Sequence, residues 1–155
     1  MRYLSFEIRG EQFGIQLEKV KEVIAFPPIT PAPGMPSHCL GLMRLREQVL
    51  PVIDLRIRLK LVPTLTHDTA VVVCELGKTT VGLVVDFINT VVAPDTVDIM
   101  PAPLGADGHA IGFVSSIVRR EKGLTLILDV GQLISASDEE LIQTQAAFQQ
   151  IRAAA

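Results

Sequence analysis

The chain has 155 residues with a formal net charge of -3, and 48% of its residues are hydrophobic. The basic residues form no cluster longer than Arg119-Arg120 and the chain contains no tryptophan, which argues against a nucleic-acid-binding protein. No apolar run approaches the roughly 20 residues of a membrane helix and no secretory signal opens the chain, so we expect a cytoplasmic protein that does not insert into the membrane.

Apolar residues occur in short runs that alternate with polar residues and are broken by Gly, Pro, Asp and Lys, a pattern typical of many short strands. The predicted strands are residues 4–8, 13–15, 20–26, 42–46, 49–53, 70–76, 79–85, 111–118 and 124–128. Residues 81–85 are apolar on both faces, so we expect this strand to be central in its sheet. The sequence therefore predicts a mainly β protein.

Several connections between these strands carry turn or loop signals. Five prolines lie between positions 27 and 36, so this segment, named here the proline strap, should be stiff and extended. Gly77-Lys78 suits a two-residue hairpin turn, because glycine readily adopts the positive φ that such a turn needs. Residues 94–109 are predicted to be a loop. Residues 61–68 contain Pro63 and the polar residues Thr64, Thr66 and His67, and we interpret them as the boundary between two halves.

The hairpin around position 47 is the most distinctive local pattern. Glu47-Gln48 is predicted as its two-residue turn. Alternation places Arg44 and Arg46 on one face of the first strand. The hairpin ends at Asp54, whose carboxylate can cap the helical turn that follows.

Helical structure is predicted to be short except at the C-terminus. Single turns are expected at residues 17–19 and 55–60. Capping patterns occur at Asp129 and at Ser137, each followed three residues later by Gln or Glu. A helix is predicted over residues 138–152, with a narrow apolar stripe for docking on the rest of the protein. The residues of that stripe are Leu141, Thr144, Phe148 and Ile151.

The two halves of the chain share a pattern of hairpins, an apolar strand that closes on aspartate, and a helical turn. The apolar strand closes on Asp54 in the first half and on Asp129 in the second. The repetition predicts two related β-barrels, one over residues 1–62 and the other over residues 69–135.

The sequence offers no convincing catalytic or metal-binding constellation. Three carboxylates could suggest catalysis, namely Asp54, Asp86 and Asp129. Each follows an apolar run, a position where capping is the ordinary role of aspartate. His38 and Cys39 are neighbours that would point to opposite faces of a strand, which is poor geometry for a nucleophile and its base. His67 and His109 have no second ligand at metal spacing. We expect neither an enzyme nor a bound metal or cofactor.

Five blocks of the chain, in order, resemble the CheW family of chemotaxis coupling proteins. The blocks are Gln12-Phe13-Gly14-Ile15 with Val20-Lys21-Glu22-Val23-Ile24; residues 41–56, with Leu-Arg and then Val-Leu-Pro-Val-Ile-Asp-Leu-Arg; Val81-Gly82-Leu83-Val84-Val85-Asp86 with Val91-Val92; Met100-Pro101-Ala102-Pro103; and Leu126-Ile127-Leu128-Asp129-Val130. The hairpin departs from the family pattern at two positions. Glu47 stands where glycine is usual at the tip, and Arg44 where asparagine is usual.

The resemblance implies a single CheW-like domain over residues 1–155, built from two five-stranded SH3-like barrels packed through an apolar seam. It implies a non-catalytic adaptor, monomeric alone, that couples the cytoplasmic tips of methyl-accepting chemoreceptors to the regulatory domain of the histidine kinase CheA. The alternative is a CheW-like adaptor of type IV pilus twitching or another chemosensory pathway. Arg44, Glu47, His38 and Cys39 depart from the family's usual residues, and this leaves the alternative open.

The resemblance also implies two sets of contact residues. Leu4, Leu17 and Val20 match the kinase-binding face, although all three could instead be core residues. Val20, Glu22, Gly41 and Arg46 match the receptor-binding region, and Glu22 and Arg46 match positions implicated in a salt bridge there. Both charges are expected inside strands with apolar flanks, but they could also be solvated charges on edge strands.

Overall fold

The computed structural model of the protein describes residues 1–104 and 112–133. The strands in these residues are β1 (Tyr3–Ile8), β2 (Glu11–Gln16), β3 (Val20–Ala25), β4 (Cys39–Leu45), β5 (Gln48–Asp54), β6 (Ala70–Leu76), β7 (Thr79–Val85), β8 (Phe87–Val92), β9 (Ile99–Pro101), β10 (Val114–Arg120) and β11 (Gly123–Leu128). The helices are α1 (Leu55–Arg58) and α2 (Val130–Leu133), with 3-10 turns at Leu17–Lys19 and Thr96–Asp98. The mainly β fold predicted from the sequence is confirmed.

The strands form two sheets. One is five-stranded, in the order β3-β6-β7-β5-β4, and the other is six-stranded, in the order β8-β1-β2-β11-β10-β9. The strand β7 is central in the five-stranded sheet, as the apolar character of both its faces predicted. The fold thus has the two packed β units that the sequence predicted, with a sixth strand on one of them.

The repeated sequence pattern corresponds to a repeated strand order. The order β3-β6-β7-β5-β4 in one sheet has its counterpart in β8-β1-β2-β11-β10 in the other, and β9 is added at the edge of the latter. Parallel pairing occurs at equivalent places, between β5 and β7 and between β11 and β2. In both units the strand that closes on aspartate leads directly into a short helix.

The sheets do not divide at residues 61–68, where the sequence boundary was predicted. The five-stranded sheet is contiguous in the chain and lies between β3 and β7, whereas the six-stranded sheet combines β1 and β2 with β8 to β11. The chain passes between the sheets at the 3-10 turn Leu17–Lys19 and again at Asp86. Each predicted barrel, 1–62 or 69–135, therefore contributes strands to both sheets. Local patterns identify repeats, but they do not show which hairpin pairs with which strand.

The largest apolar cluster lies between the sheets and takes residues from both. From the six-stranded sheet it includes Leu4, Phe6 and Ile15, and from the five-stranded sheet Val72 and Leu83. A second cluster lies within the five-stranded unit and a third within the six-stranded unit. Since burial of apolar surface is the main favourable term in folding, the shared cluster couples the stability of the two sheets.

Several predicted connections differ in detail from the structure. The turn between β4 and β5 consists of Arg46 and Glu47 and not of Glu47-Gln48, because Leu45 pairs directly with Gln48. The turn between β10 and β11 has only two residues, Glu121 and Lys122, where the sequence suggested residues 119–123. In contrast, Gly77-Lys78 forms the predicted two-residue turn.

The segment 94–109 was predicted as a loop, but residues 96–101 have regular secondary structure. It contains the 3-10 turn Thr96–Asp98 and the short strand β9, which pairs with β10. A three-residue strand has too few positions to show alternation, so no periodic signal was present. The C-terminal helix predicted over residues 138–152 and its capping pattern at Ser137 lie outside the described residues.

Within residues 1–104 and 112–133, no helix has the length and apolar character needed to cross a membrane.

Candidate functional site

The proline strap runs between β3 and β4, the two outer strands of the five-stranded sheet, and is hydrogen-bonded to β4. The backbone N–H of Thr30 donates to the carbonyl of Leu42 at 2.8 Å, and the N–H of Leu42 donates back to the carbonyl of Thr30 at 2.8 Å. Thr30 and Leu42 thereby form an isolated antiparallel bridge. The strap covers part of the β4 edge that would otherwise be unpaired.

Gly41 is required where the strap crosses β4. Its φ of +141° lies in a region that favours glycine. A Cβ atom at this position would lie 2.1 Å from the carbonyl oxygen of Thr30 and 2.9 Å from the Cα of Pro31. Gly41 is itself buried, so its immediate role is to let two backbones approach closely.

An ion pair joins β3 to the turn between β4 and β5. The guanidinium of Arg46 donates from Nη1 to Oε1 of Glu22 at 3.2 Å and from Nη2 to Oε2 at 2.9 Å. This two-bond arrangement fixes the relative orientation of the two side chains. The predicted salt bridge between Glu22 and Arg46 is therefore formed, across 24 positions of sequence.

The environment of Arg46 differs from the sequence prediction. Arg46 is not inside a strand but in the turn, with a φ of 56°, and its side chain is 69% exposed. The side chain of Glu22 is 24% exposed and lies on the half-buried face of β3 with Val20 and Ile24. The hydrogen bonds that Arg46 donates to Glu22, and the negative charge of Glu22, raise the pKa of Arg46. The pair is thus a charged feature of the surface, with an arginine accessible to a partner.

The residues matched to the receptor region lie on the outer strands of one sheet. Val20 and Glu22 are on β3, Gly41 is on β4, and Arg46 follows β4 directly. The strap and the ion pair bring these two strands together.

The residues matched to the kinase face do not form one exposed patch. Leu4 is in β1 of the six-stranded sheet and is only 6% exposed, so it is a core residue. Leu17, in the 3-10 turn, and Val20 are partly exposed and pack against the same core cluster. The apolar surface available to a partner is therefore limited to Leu17 and Val20 among these three.

A buried network centred on Arg56 was not identified from the sequence. Arg56 is 3% exposed, and its guanidinium donates from Nε and Nη2 to the two carboxylate oxygens of Asp54, each at 2.9 Å. From Nη1 it donates to Oδ1 of Asp86 at 2.9 Å and to the carbonyl of Thr64 at 2.7 Å. The backbone N–H of Arg9 completes the network by donating to Oδ2 of Asp86 at 2.8 Å.

The charge balance of this network keeps Arg56 ionised in the interior. Burial on its own would lower the pKa of Arg56, but the hydrogen bonds and charges of Asp54 and Asp86 outweigh it, and the pKa is raised. A buried charge is tolerated only when it is paired and hydrogen-bonded in this way. The one local signal was an arginine within an apolar stretch directly after Asp54. Its second partner, Asp86, is 30 positions away and could not be predicted from spacing.

Two of the aspartates that could suggest catalysis cap helices instead. Asp54 caps α1 by accepting from the N–H of Arg56, and Asp129 accepts from the N–H of Gly131 at the start of α2. Cys39 is buried at the beginning of β4. In the described part of the chain, no group of three His, Cys, Asp or Glu residues is arranged to hold a metal ion.

Residues 2–138 match the model of the CheW-like domain. The chain belongs to the CheW-like family. Its similarity to curated family members extends over most of the chain. It is 27% identical over 145 residues to the chemotaxis protein CheW of Klebsiella aerogenes, a match that covers 93% of this chain and 87% of that protein. It is 29% identical to the chemotaxis protein CheW of Bacillus subtilis, covering 90% of each chain.

A further relative and a solved structure agree with this assignment. The protein FrzA of Myxococcus xanthus is 31% identical over 123 residues, which cover 77% of each chain. The crystal structure of the scaffolding protein TtCheW from Thermoanaerobacter tengcongensis superimposes with a TM-score of 0.79 at 25% identity, covering 88% of this chain and 94% of that one. The CheW-like fold, with its two packed β units, is therefore shared over nearly the whole chain.

Proposed function

We propose that this chain is an adaptor that couples methyl-accepting chemoreceptors to a CheA-type histidine kinase in chemotaxis. Its membership of the CheW-like family over residues 2–138 supports this function, as do relatives named chemotaxis proteins and a structural neighbour described as a scaffolding protein. The adaptor acts in the cytoplasm through its surfaces, and it uses neither a cofactor nor a catalytic step.

The observation that carries the proposal is the ion pair between Glu22 and Arg46. Both positions match the receptor region of the family, and the structure joins them with two charge-assisted hydrogen bonds. The pair holds an exposed arginine at a fixed place beside the bridge that the strap forms with β4. Such an oriented charge suits recognition of a polar helix surface at a receptor tip, because charged groups at an interface rim fix register and specificity.

The kinase-binding face is proposed to include Leu17 and Val20. These side chains are partly exposed and adjoin the large core cluster, so a partner can bury them without unfolding the adaptor. Leu4 contributes indirectly, because it lies in the same core cluster and supports the residues that reach the surface.

The hydrogen bonds of three carboxylates support the proposed lack of catalysis. Asp54 and Asp86 are engaged with Arg56, and Asp129 is engaged in helix capping. These hydrogen bonds occupy the groups that would have to exchange protons with a substrate.

Reconstitution with receptor-containing membranes tests the function directly. The wild-type protein should co-sediment with membranes only when a chemoreceptor is present, and it should make the activity of an added CheA-type kinase depend on receptor ligand. Arg46→Glu places two carboxylates opposite each other and should abolish both effects. Arg44→Glu is the control, because Arg44 is also an exposed arginine of this hairpin, and its side chain bonds to the backbone carbonyl of Arg46 and not to Glu22. Equal behaviour of the two variants would contradict the assignment of the receptor site.

The kinase face is tested by replacing Leu17 with aspartate. A charge placed in an apolar contact is left unpaired, so binding of the kinase regulatory domain should weaken by about 2 kcal/mol or more in titration calorimetry. Leu124→Asp is the control, because Leu124 is exposed on β11 of the other sheet and should leave affinity unchanged. A folded Leu17→Asp variant with wild-type affinity would show that the kinase binds elsewhere.

A further inference from the structure

Helix α1 has only four residues, yet its two arginines contact several distant parts of the chain. Arg56 bonds to Asp86, the residue at which the chain passes from the five-stranded to the six-stranded sheet. Arg58 reaches the segments at both ends of the β10–β11 hairpin. Because α1 directly continues β5, these contacts connect the five-stranded sheet to the other one.

The contacts of Arg56 fix the crossing between the sheets. Asp86 lies between β7 and β8, and its two carboxylate oxygens accept from different partners. One bonds to the guanidinium of Arg56, and the other to the backbone N–H of Arg9 in the β1–β2 turn. The crossing residue is thereby held by one group from each sheet.

The same region also holds the segment between α1 and β6. The carbonyl of Thr64 accepts from Arg56 at 2.7 Å, and the carbonyl of Val62 accepts from Arg9 at 3.2 Å. One arginine belongs to α1 and the other to the β1–β2 turn, so this segment is also attached to both sheets.

Arg58 makes a separate connection to the six-stranded unit. Its Nε donates to the carbonyl of Leu133 in α2 at 2.7 Å. Its guanidinium carbon lies 4.2 Å from the centre of the Phe113 ring, which is within the range of a cation–π contact. Leu133 is fully buried, and the carbonyl of Phe113 accepts from the N–H of Asp129 at 2.7 Å. Arg58 therefore contacts the six-stranded unit both before β10 and after β11.

We propose that α1 is the joint that sets the angle between the two sheets, with Arg58 as the residue that fixes it. The hydrophobic effect that drives burial between the sheets is itself non-directional. Charge-assisted hydrogen bonds depend on the direction of donor and acceptor, so they add a preferred orientation. Loss of Arg58 should leave both sheets folded but allow them to rotate relative to each other.

Distance measurements between two spin labels test the joint. Labels are attached at Glu47→Cys and Lys122→Cys, exposed positions in hairpin turns of different sheets, after the buried Cys39 and Cys74 have been replaced by alanine. Double electron–electron resonance should give one narrow distance peak for this parent protein. Arg58→Gln should broaden or shift the peak while the far-ultraviolet circular dichroism spectrum stays unchanged.

Two further variants make the result decisive. Phe113→Leu removes the ring beneath Arg58 but keeps an apolar side chain, and it should move the peak in the same direction by a smaller amount. Lys21→Gln removes an exposed charge from β3 and should leave the peak unchanged. Folded Arg58→Gln with the parent distance distribution would overturn the proposal. If Arg58→Gln does not fold, an unchanged distribution for Phe113→Leu would overturn it.

Discussion

Two arginines of this chain show how burial decides the role of a charge. Arg46 is exposed and pairs with Glu22 at the surface, whereas Arg56 is buried and pairs with Asp54 and Asp86. Exposed pairs contribute little to stability because water screens them, so Arg46 is available for recognition. A buried pair instead becomes very costly when one partner is removed.

Replacing Arg56 with alanine should therefore be strongly destabilising. The change leaves two carboxylates without their guanidinium, and breaking a buried pair typically costs about 3–5 kcal/mol. That loss is a large part of the free energy of unfolding of a typical domain, which is roughly 5–15 kcal/mol. Urea unfolding measures the loss. Arg44→Ala removes an exposed arginine and should change stability by no more than about 0.5 kcal/mol. Similar losses for the two variants would show that the network does not stabilise the fold.

Cys74 gives a pH dependence with a defined sign. Burial in the apolar core raises the pKa of its thiol to about 12, from an ordinary value of 9.0. The folded protein therefore holds this proton more tightly than the unfolded chain does. The contribution of this thiol to the free energy of unfolding is complete below the pKa that the thiol has in the unfolded chain. It is lost as the pH rises from there to about 12. In that window the loss approaches about 1.4 kcal/mol per pH unit.

Comparison with Cys74→Ala isolates this effect. The variant should be less stable than wild type at neutral pH, because a buried sulfur atom is removed. The difference should shrink between about pH 9 and pH 11, since only the wild type loses the contribution of the thiol. Urea unfolding at a series of pH values measures both curves, and the other titrating groups cancel between them. Parallel curves would mean that the thiol is not as buried as the structure shows.

At the scale of single elements, the position of the proline strap depends on Gly41. Gly41→Ala should cost about 1–3 kcal/mol from backbone strain alone. It should cost more in total, because the new methyl group meets the backbone of Thr30 at 2.1 Å. Gly77→Ala is the matched control, since Gly77 also has a positive φ, of +62°, but no atom lies within 4 Å of its Cβ position.

The difference between the two glycine variants measures the strap contact. Gly41→Ala should also speed hydrogen exchange at the amides of Thr30 and Leu42, which form the bridge between strap and β4. Equal losses of stability, with unchanged exchange at these amides, would mean that the strap moves aside at no cost.

Elements with a strong local signal were predictable from the sequence, whereas those set by distant partners were not. The Gly77-Lys78 turn followed from residue chemistry, and so did the cap at Asp54. The β4–β5 turn was placed one residue late because it contains no glycine, and Arg46 adopts the positive φ instead. The Glu22–Arg46 pair was anticipated through the family resemblance, since no local pattern links residues 24 positions apart.

At the scale of the whole molecule, the order of strands in space was beyond local patterns. The β6–β7 hairpin lies between β3 and β5, and the β1–β2 hairpin lies between β8 and β11. The second half of the sequence thus supplies the inner hairpin, β6–β7, of the sheet that holds β3, β4 and β5 from the first half. In the same way, the first half supplies the inner hairpin, β1–β2, of the sheet that holds β8 to β11. Hydrophobic periodicity reports which face of a strand is buried, but it does not identify the neighbour along the sheet.

This exchange of hairpins predicts how the chain behaves when it is cut after Leu65, in the exposed segment between α1 and β6. Fragment 1–65 contains β3, β4 and β5 but lacks the hairpin that joins β3 to β5, and fragment 66–155 lacks the hairpin that joins β8 to β11. Each fragment also exposes its part of the core cluster shared by the two sheets. Neither fragment should give a cooperative unfolding transition alone.

Mixing the two fragments should restore the fold, because every strand pair and the shared core are then available again. Circular dichroism and size exclusion would detect a folded one-to-one complex, and its stability should depend on fragment concentration as for any association. If fragment 1–65 folds by itself with a cooperative transition, the two halves are sequential barrels and the hairpin exchange does not determine stability.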